Sequence, residues 1–279
     1  MDTNATAPNG VPIEVHEVRR AEIDQVPLRC WKDRASIYDL FDSQDTIGMG
    51  AWAGNTCVGQ LHCYRLDLPN GGHDHWPDWN KPWWVKSKPA ALDLDGLVWA
   101  HACYHVGRSV ETWLTECSAR VATFAADCNW DVGRIAERLT PHCFSDEQLQ
   151  ELIGRARRGE QPTNLEWGAD PSYFGRGIGT AMCRASIDWA WRHGYVAVLV
   201  TAEPDDLPTF SRHSGGLSRR TYARLGFKTI AAEGDSAALP EWANWLPEIE
   251  REVQQALAAG RSIASLHPQL MCLRKEDSN

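Results

Sequence analysis

The stretch from Asp170 to Ile230 constrains this chain most, because two short signals stand a fixed distance apart within it. The first, Asp170-Pro-Ser-Tyr-Phe-Gly-Arg-Gly-Ile-Gly-Thr-Ala-Met, sets Gly175, Gly177 and Gly179 at alternate positions just ahead of an amphipathic helical pattern. Glycines let a main chain approach a ligand closely, and the N–H groups of a helix's first turn point outward with the positive end of the macrodipole behind them. Such a turn suits an anion. The second, Ser218-Arg-Arg-Thr-Tyr-Ala-Arg-Leu-Gly-Phe-Lys, reads as a short helix stopped by Gly226, with Tyr222 one turn before the stop.

Two common phosphate-binding patterns are absent. The glycines run G-x-G-x-G rather than the G-x-G-x-x-G of dinucleotide sites, and no G-K-[ST] follows, which excludes a nucleotide-hydrolysing P-loop. The pair of signals instead resembles the GNAT superfamily of N-acetyltransferases, with its acetyl-CoA motif [RQ]-x-x-G-x-[GA] and a later helix of the form N-x-x-[AS]-x-x-x-Y-x-x-x-G-F. Gly177 and Gly179 fill the first pattern, and Ser218, Tyr222, Gly226 and Phe227 the second. Phe174 stands where Arg or Gln is usual, and Gly215 where Asn is usual. The resemblance is carried by residues 165–228, extends in outline over Ile13 to Leu66, and is absent over 107–162.

The resemblance implies an α/β (α+β) GNAT fold, a mixed and mostly antiparallel sheet of about seven strands flanked by helices. It implies acetyl-CoA as co-substrate, its pyrophosphate held by the turn from Phe174 through Gly175, Arg176, Gly177, Ile178, Gly179 and Thr180. The main chain of Trp167 and Ala169 is then the expected partner of the pantetheine amides. Tyr222 matches the family's acid position, and a phenol with an ordinary pKa near about 10 stays protonated at neutral pH, ready to hand a proton to the leaving thiolate. Glu166, on the strand expected before the glycine turn, is the candidate base, and Asp170 further along points to the same face.

Composition narrows the class. With 279 residues and 43% hydrophobic content the chain can bury a full core, and the expectation is one elaborated domain over 13–279 behind a flexible, polar N-terminus over 1–12. Neither an apolar run of membrane-spanning length nor a charged-then-apolar leader is visible, so a cytoplasmic protein with no membrane partner is expected. A net charge of −9 argues against a nucleic-acid partner and is compatible with a cationic amine. Nine cysteines, an odd number without scaffold spacing, read as reduced thiols.

Periodicity places the elements around the motifs. Strands are expected at Ile13 to Val18, Thr46 to Ala53, Cys57 to Leu66, Leu97 to Val106, Asn164 to Ala169, Tyr195 to Thr201, Lys228 to Ala232 and Leu270 to Arg274. Helices are expected at Ala21 to Trp31, Ser109 to Cys128, Asp131 to Leu139, Asp146 to Arg158, from Ile178 to the stop at Gly194, and Pro247 to Ala259. Gly54-Asn55 reads as a tight hairpin turn. Two segments are additions to the family pattern: a Trp-rich loop over 67–96, with Trp76, Trp79, Trp83, Trp84, His73 and His75, and a helical insertion over 107–163.

His101, Cys103 and His105 alternate on one strand and so share a face, an arrangement open to zinc. No C-x-x-C pair supports a metal, and none is expected. His101, His105 and Asp170 are read instead as lining the acceptor pocket. The tryptophans and the insertion either wall that pocket, suiting a cationic or ring-bearing small-molecule amine, or glue the insertion to the core or to a second subunit of a homodimer. A protein or peptide acetyltransferase with an open groove, and a non-catalytic acyl-CoA-binding module, are the alternatives.

Overall fold

The structure, a computed structural model, describes residues 5–28, 30–31, 33–68, 76, 82, 84–85, 94–139, 144–160, 165–166, 168–232 and 238–278. Seven β-rich runs form strands: β1 (Ile13–Glu17), β2 (Gly48–Ala53), β3 (Thr56–Asp67), β4 (Leu97–Val106), β5 (Ala197–Ala202), β6 (Lys228–Ala232) and β7 (Gln269–Arg274). They make one mixed sheet in the order β1-β2-β3-β4-β5-β7-β6, the α/β architecture expected. The chain falls into two compact units, Met1–Leu61 with His105–Ser186 and His62–Tyr104 with Ile187–Asn279.

In the first unit, β1 and β2 run antiparallel from Ile13↔Ala53 to Glu17↔Met49. Residues 5–12, read from their polar composition as a frayed end, fold back through a Thr6↔Pro12 bridge and bury Ala5 and Ala7. The helix expected over Ala21 to Trp31 is not there. A 3-10 turn covers Arg20–Gln25, and α1 (Arg34–Gln44) starts later, where the Asp33 side chain accepts from Ser36 N. Pro27 explains the difference: a residue before proline is pushed out of the helical region, and Val26 is extended at φ −106°, ψ 146°. The apolar spacing was nonetheless informative, since Ile23, Val26, Leu28 and Trp31 are all buried.

The insertion builds its own small core. Helices α2 (Val110–Ala122), α3 (Val132–Arg138) and α4 (Asp146–Arg158) enclose Leu114, Val121, Ile135, Leu152 and Ile153. Ser109, Asp131 and Ser145 each accept a first-turn N–H, caps worth about 1 kcal/mol apiece. Arg155 of α4 forks onto Glu111 of α2 at 2.5 and 2.8 Å, which holds the Glu111 carboxyl below its ordinary range.

The second unit holds a parallel strand pair. β4 and β5 pair from Val98↔Ala197 to His101↔Val200, while β7 joins β5 and β6 antiparallel. The near-continuous apolar run of β5 is buried except at half-buried Thr201, as a central strand requires. Helices α6 (Pro208–Ser214) and α8 (Pro247–Ala258) meet over Leu207, Phe210, Trp242, Ile249 and Val253. Of the Trp-rich loop, Trp76 and Trp84 are described and serve as packing: Trp76 stacks on Tyr64 at 4.4 Å, and Trp84 donates to Thr201 Oγ1 at 3.0 Å. Trp79, Trp83, His73 and His75 lie outside the described residues.

Candidate active site

The glycine turn is built from Asp170 onward. The Asp170 carboxylate accepts from Ser172 N at 2.9 Å and caps a short 3-10 turn over Pro171–Tyr173, with Phe174 N donating to Pro171 O at 3.0 Å. The Asp170 N–H donates to Gly107 O at 2.7 Å, so the main chain of this residue anchors the turn. Burial and the Asp170 charge raise the Tyr173 phenol above its usual pKa. Helix α5 (Ile178–Arg192) follows, and its first internal bond runs from Ala181 N to Gly177 O at 2.9 Å. The N–H groups of Ile178, Gly179 and Thr180 therefore precede the helical ladder and have no helical acceptor.

Conformation explains the glycines. Gly175 and Gly177 sit at φ +71° and +77°, the left-handed region that penalises any Cβ, and a Cβ built on either meets nothing within 4 Å. Both are exposed, with exposed Arg176 between them, while Ile178 and Gly179 turn inward. An open, left-handed turn delivering main-chain N–H groups fits a diphosphate. Arg176 folds back, its Nε donating to Ser172 O at 2.6 Å. This puts a cationic side chain on the turn itself.

The strand expected over Asn164 to Ala169 is absent as a sheet strand among the described residues. Glu166 and Ala169 face each other as an isolated bridge, with N–H to carbonyl bonds of 2.8 and 3.0 Å, and Gly168 reverses the chain at φ +73°. The parallel partner of β5 is β4, upstream of the helical insertion. The Ala169 main chain is thus committed to Glu166, and Glu166, the expected base, is a half-buried turn residue. Trp167 lies outside the described residues.

Tyr222 lies in the second unit on α7 (Arg219–Arg224). Ser218 caps this helix toward Thr221 N, and Gly226 at φ +93° ends it, as expected. The tyrosine ring is buried, edge-on to Phe227 at 5.1 Å. His101 is buried on β4 with Nδ1 2.9 Å from the Tyr104 hydroxyl, and burial pushes its pKa down to about 3, so the ring is neutral near pH 7. His105, described in the first unit, has Nδ1 2.7 Å from an Arg108 guanidinium nitrogen and Nε2 3.3 Å from Cys30 Sγ.

One group here was not singled out from sequence. Glu203 directly follows β5 and is 6% exposed. Its signal was a carboxylate closing an otherwise apolar run at the carboxyl end of a central strand, ahead of Pro204. Its N–H donates to Leu217 O and its carbonyl accepts from Arg219 N, both at 2.9 Å.

The fold is a mixed seven-stranded α/β sheet, with an open glycine turn at the start of α5 and, in the second unit, a buried tyrosine on the short helix α7. Residues 98–227, from the start of β4 to Phe227, match the model of the acetyltransferase (GNAT) family, and the chain is an acyltransferase. Several solved structures are similar in outline. An agmatine N-acetyltransferase variant in apo form is 12% identical over 94% of this chain and 99% of its own, with a TM-score of 0.33. A Drosophila melanogaster polyamine N-acetyltransferase gives 12%, 94%, 99% and 0.35, and arylalkylamine N-acetyltransferase 2 of Aedes aegypti 12%, 96%, 99% and 0.35. No curated protein matches the sequence. Among the described residues no helix is long and apolar enough to cross a membrane.

Proposed function

We propose that this protein is an N-acetyltransferase that moves the acetyl group of acetyl-CoA to the primary amine of a small molecule by direct attack. The carrying observation is the glycine turn at Gly175 and Gly177, left-handed and open to solvent, within a segment matching the acetyltransferase family. In this reading the N–H groups from Arg176 to Thr180 hold the pyrophosphate, with the Thr180 hydroxyl and the Arg176 charge assisting. Tyr222 gives its phenolic proton to the departing thiolate. A carboxylate removes the ammonium proton, since only the neutral amine carries a lone pair for attack.

A net charge of −9 favours the approach of a cationic amine over an acidic one. The reading includes a cytoplasmic location, which nine cysteines without scaffold spacing support. The test is a panel of small primary amines, with lysine-bearing peptides alongside, each followed by release of free CoA thiol from acetyl-CoA. Turnover with small amines is expected. Turnover with peptides alone would overturn the acceptor class, and no turnover with any amine would overturn transfer itself.

A further inference from the structure

Glu203 occupies a position that the glycine turn and Tyr222 leave unexplained. β4 and β5 are held in parallel register only as far as His101↔Val200. Beyond that point the Tyr104 N–H donates to Gly215 O at 2.7 Å instead of continuing a ladder with β5. The two strands fork toward their carboxyl ends, which is where open α/β sheets take ligands. β5 ends at Ala202, and Glu203 is the first residue past it.

The main chain of Glu203 bridges Ser218, the cap of α7, and the Ser218 carbonyl accepts the Tyr222 N–H at 3.1 Å. The carboxylate and the phenol therefore hang from one short, tightly bonded segment. Gly216 leaves the room the carboxylate fills: a Cβ there would lie 2.6 Å from Glu203 Oε1 and 2.2 Å from its Cγ. Burying a carboxylate is costly, and such groups are retained where chemistry uses them. The polar or titratable side chains on the bonded elements include Arg219, Arg220, Asp205, His101, Cys103 and Tyr104, and among them His101 is neutral near pH 7. Asp205 is engaged otherwise, its carboxylate accepting from Arg220 N at 2.7 Å.

We infer that Glu203 is the base of the transfer, receiving the acceptor's ammonium group at the mouth of the β4–β5 fork and taking its proton. This assignment rests on the transfer reading above and replaces Glu166 in the base role. One proton passes from the ammonium to Glu203, and the freed lone pair forms the C–N bond at the thioester carbonyl carbon. The C–S bond breaks, its electron pair leaves on sulfur, and sulfur takes the Tyr222 proton. The second N–H proton restores the phenol and the first leaves Glu203 for water, giving amide, CoA thiol and one proton.

Steady-state kinetics with acetyl-CoA and phenethylamine, or the fastest amine of the panel above where phenethylamine is not turned over, test the assignment. Glu203→Gln should lower kcat at least ~100-fold, within the span of general-base catalysis, with the KM for acetyl-CoA and the melting temperature little changed. Formate should restore part of the rate to Glu203→Ala, which a purely structural role would not allow. Wild-type turnover in Glu203→Gln, or no rescue of a folded Glu203→Ala, overturns the role. Should neither variant fold, Glu203→Asp decides: a folded protein with kcat at least ~10-fold down supports the base, and wild-type kcat sinks it. A wild type inactive with every amine of the panel above would instead strike the transfer reading itself, and the assignment with it.

Discussion

Two glycine-bearing turns in this molecule look alike as letters and differ as physics. At Gly175 and Gly177 the residue is required by conformation alone, because φ is positive and the space beyond the missing Cβ is open. At Gly215 and Gly216 it is required by crowding. A Cβ on Gly215, itself at φ +75°, would lie 2.8 Å from the Tyr104 carbonyl oxygen, and one on Gly216 would strike Glu203. An open turn on the surface presents N–H groups to something outside the chain, whereas a filled one fixes groups within it. The first is built for holding a ligand, the second for aiming side chains.

The largest break in this contrast should come from Gly215→Ala. It combines left-handed strain with a clash against main chain, which cannot swing aside as a side-chain end can. A loss of about 2–4 kcal/mol is expected from strain plus overpacking, measured by denaturant unfolding. A loss under about 1 kcal/mol would show that the second turn is looser than its distances imply.

Next comes a pH effect at His101, whose ring meets the hydroxyl of Tyr104. Its folded pKa, about 3, lies below the ordinary 6.5 because burial disfavours the charged ring. The unfolded chain therefore binds the proton first. The stability contributed by the neutral ring is whole above pH 6.5 and is lost as pH falls toward 3, on the order of a few kcal/mol. His101→Gln should flatten the stability curve in that window, and an unchanged slope in urea titrations at pH 7 and pH 4 would remove the buried ring as its source.

The smallest effect is expected at the open turn. Gly175→Ala meets no atom and bears only the cost of a left-handed Cβ, about 1 kcal/mol. A thermal melt that drops as far as that of Gly215→Ala would erase the distinction between the two turns.

Much of this was legible in the sequence. The Ser145 cap and the bounds of α4, the Gly226 stop and the β6 limits follow from local chemistry, and the structure repeats them. What was missed depended on tertiary choices. Pro27 broke a well-patterned helix at one residue, and α6, starting at Pro208, was not recognised between two motifs. The strand before the glycine turn was sought next to it in sequence, but the parallel partner of β5 is β4, before the helical insertion. Glu203 looked like the ordinary end of an apolar run, because only the folded chain shows Gly216 set against its carboxylate.

Calorimetric titration of CoA and of pantetheine, which lacks the diphosphate, into the wild type and Gly177→Val tests the central claim most directly. CoA should bind the wild type at least ~100-fold more tightly than pantetheine, about 2.7 kcal/mol. A β-branched residue at φ +77° is strongly disfavoured, so Gly177→Val should close most of that gap while pantetheine binding stays the same. Equal affinities in the wild type, or a gap untouched by the substitution, would contradict a diphosphate resting on the start of α5.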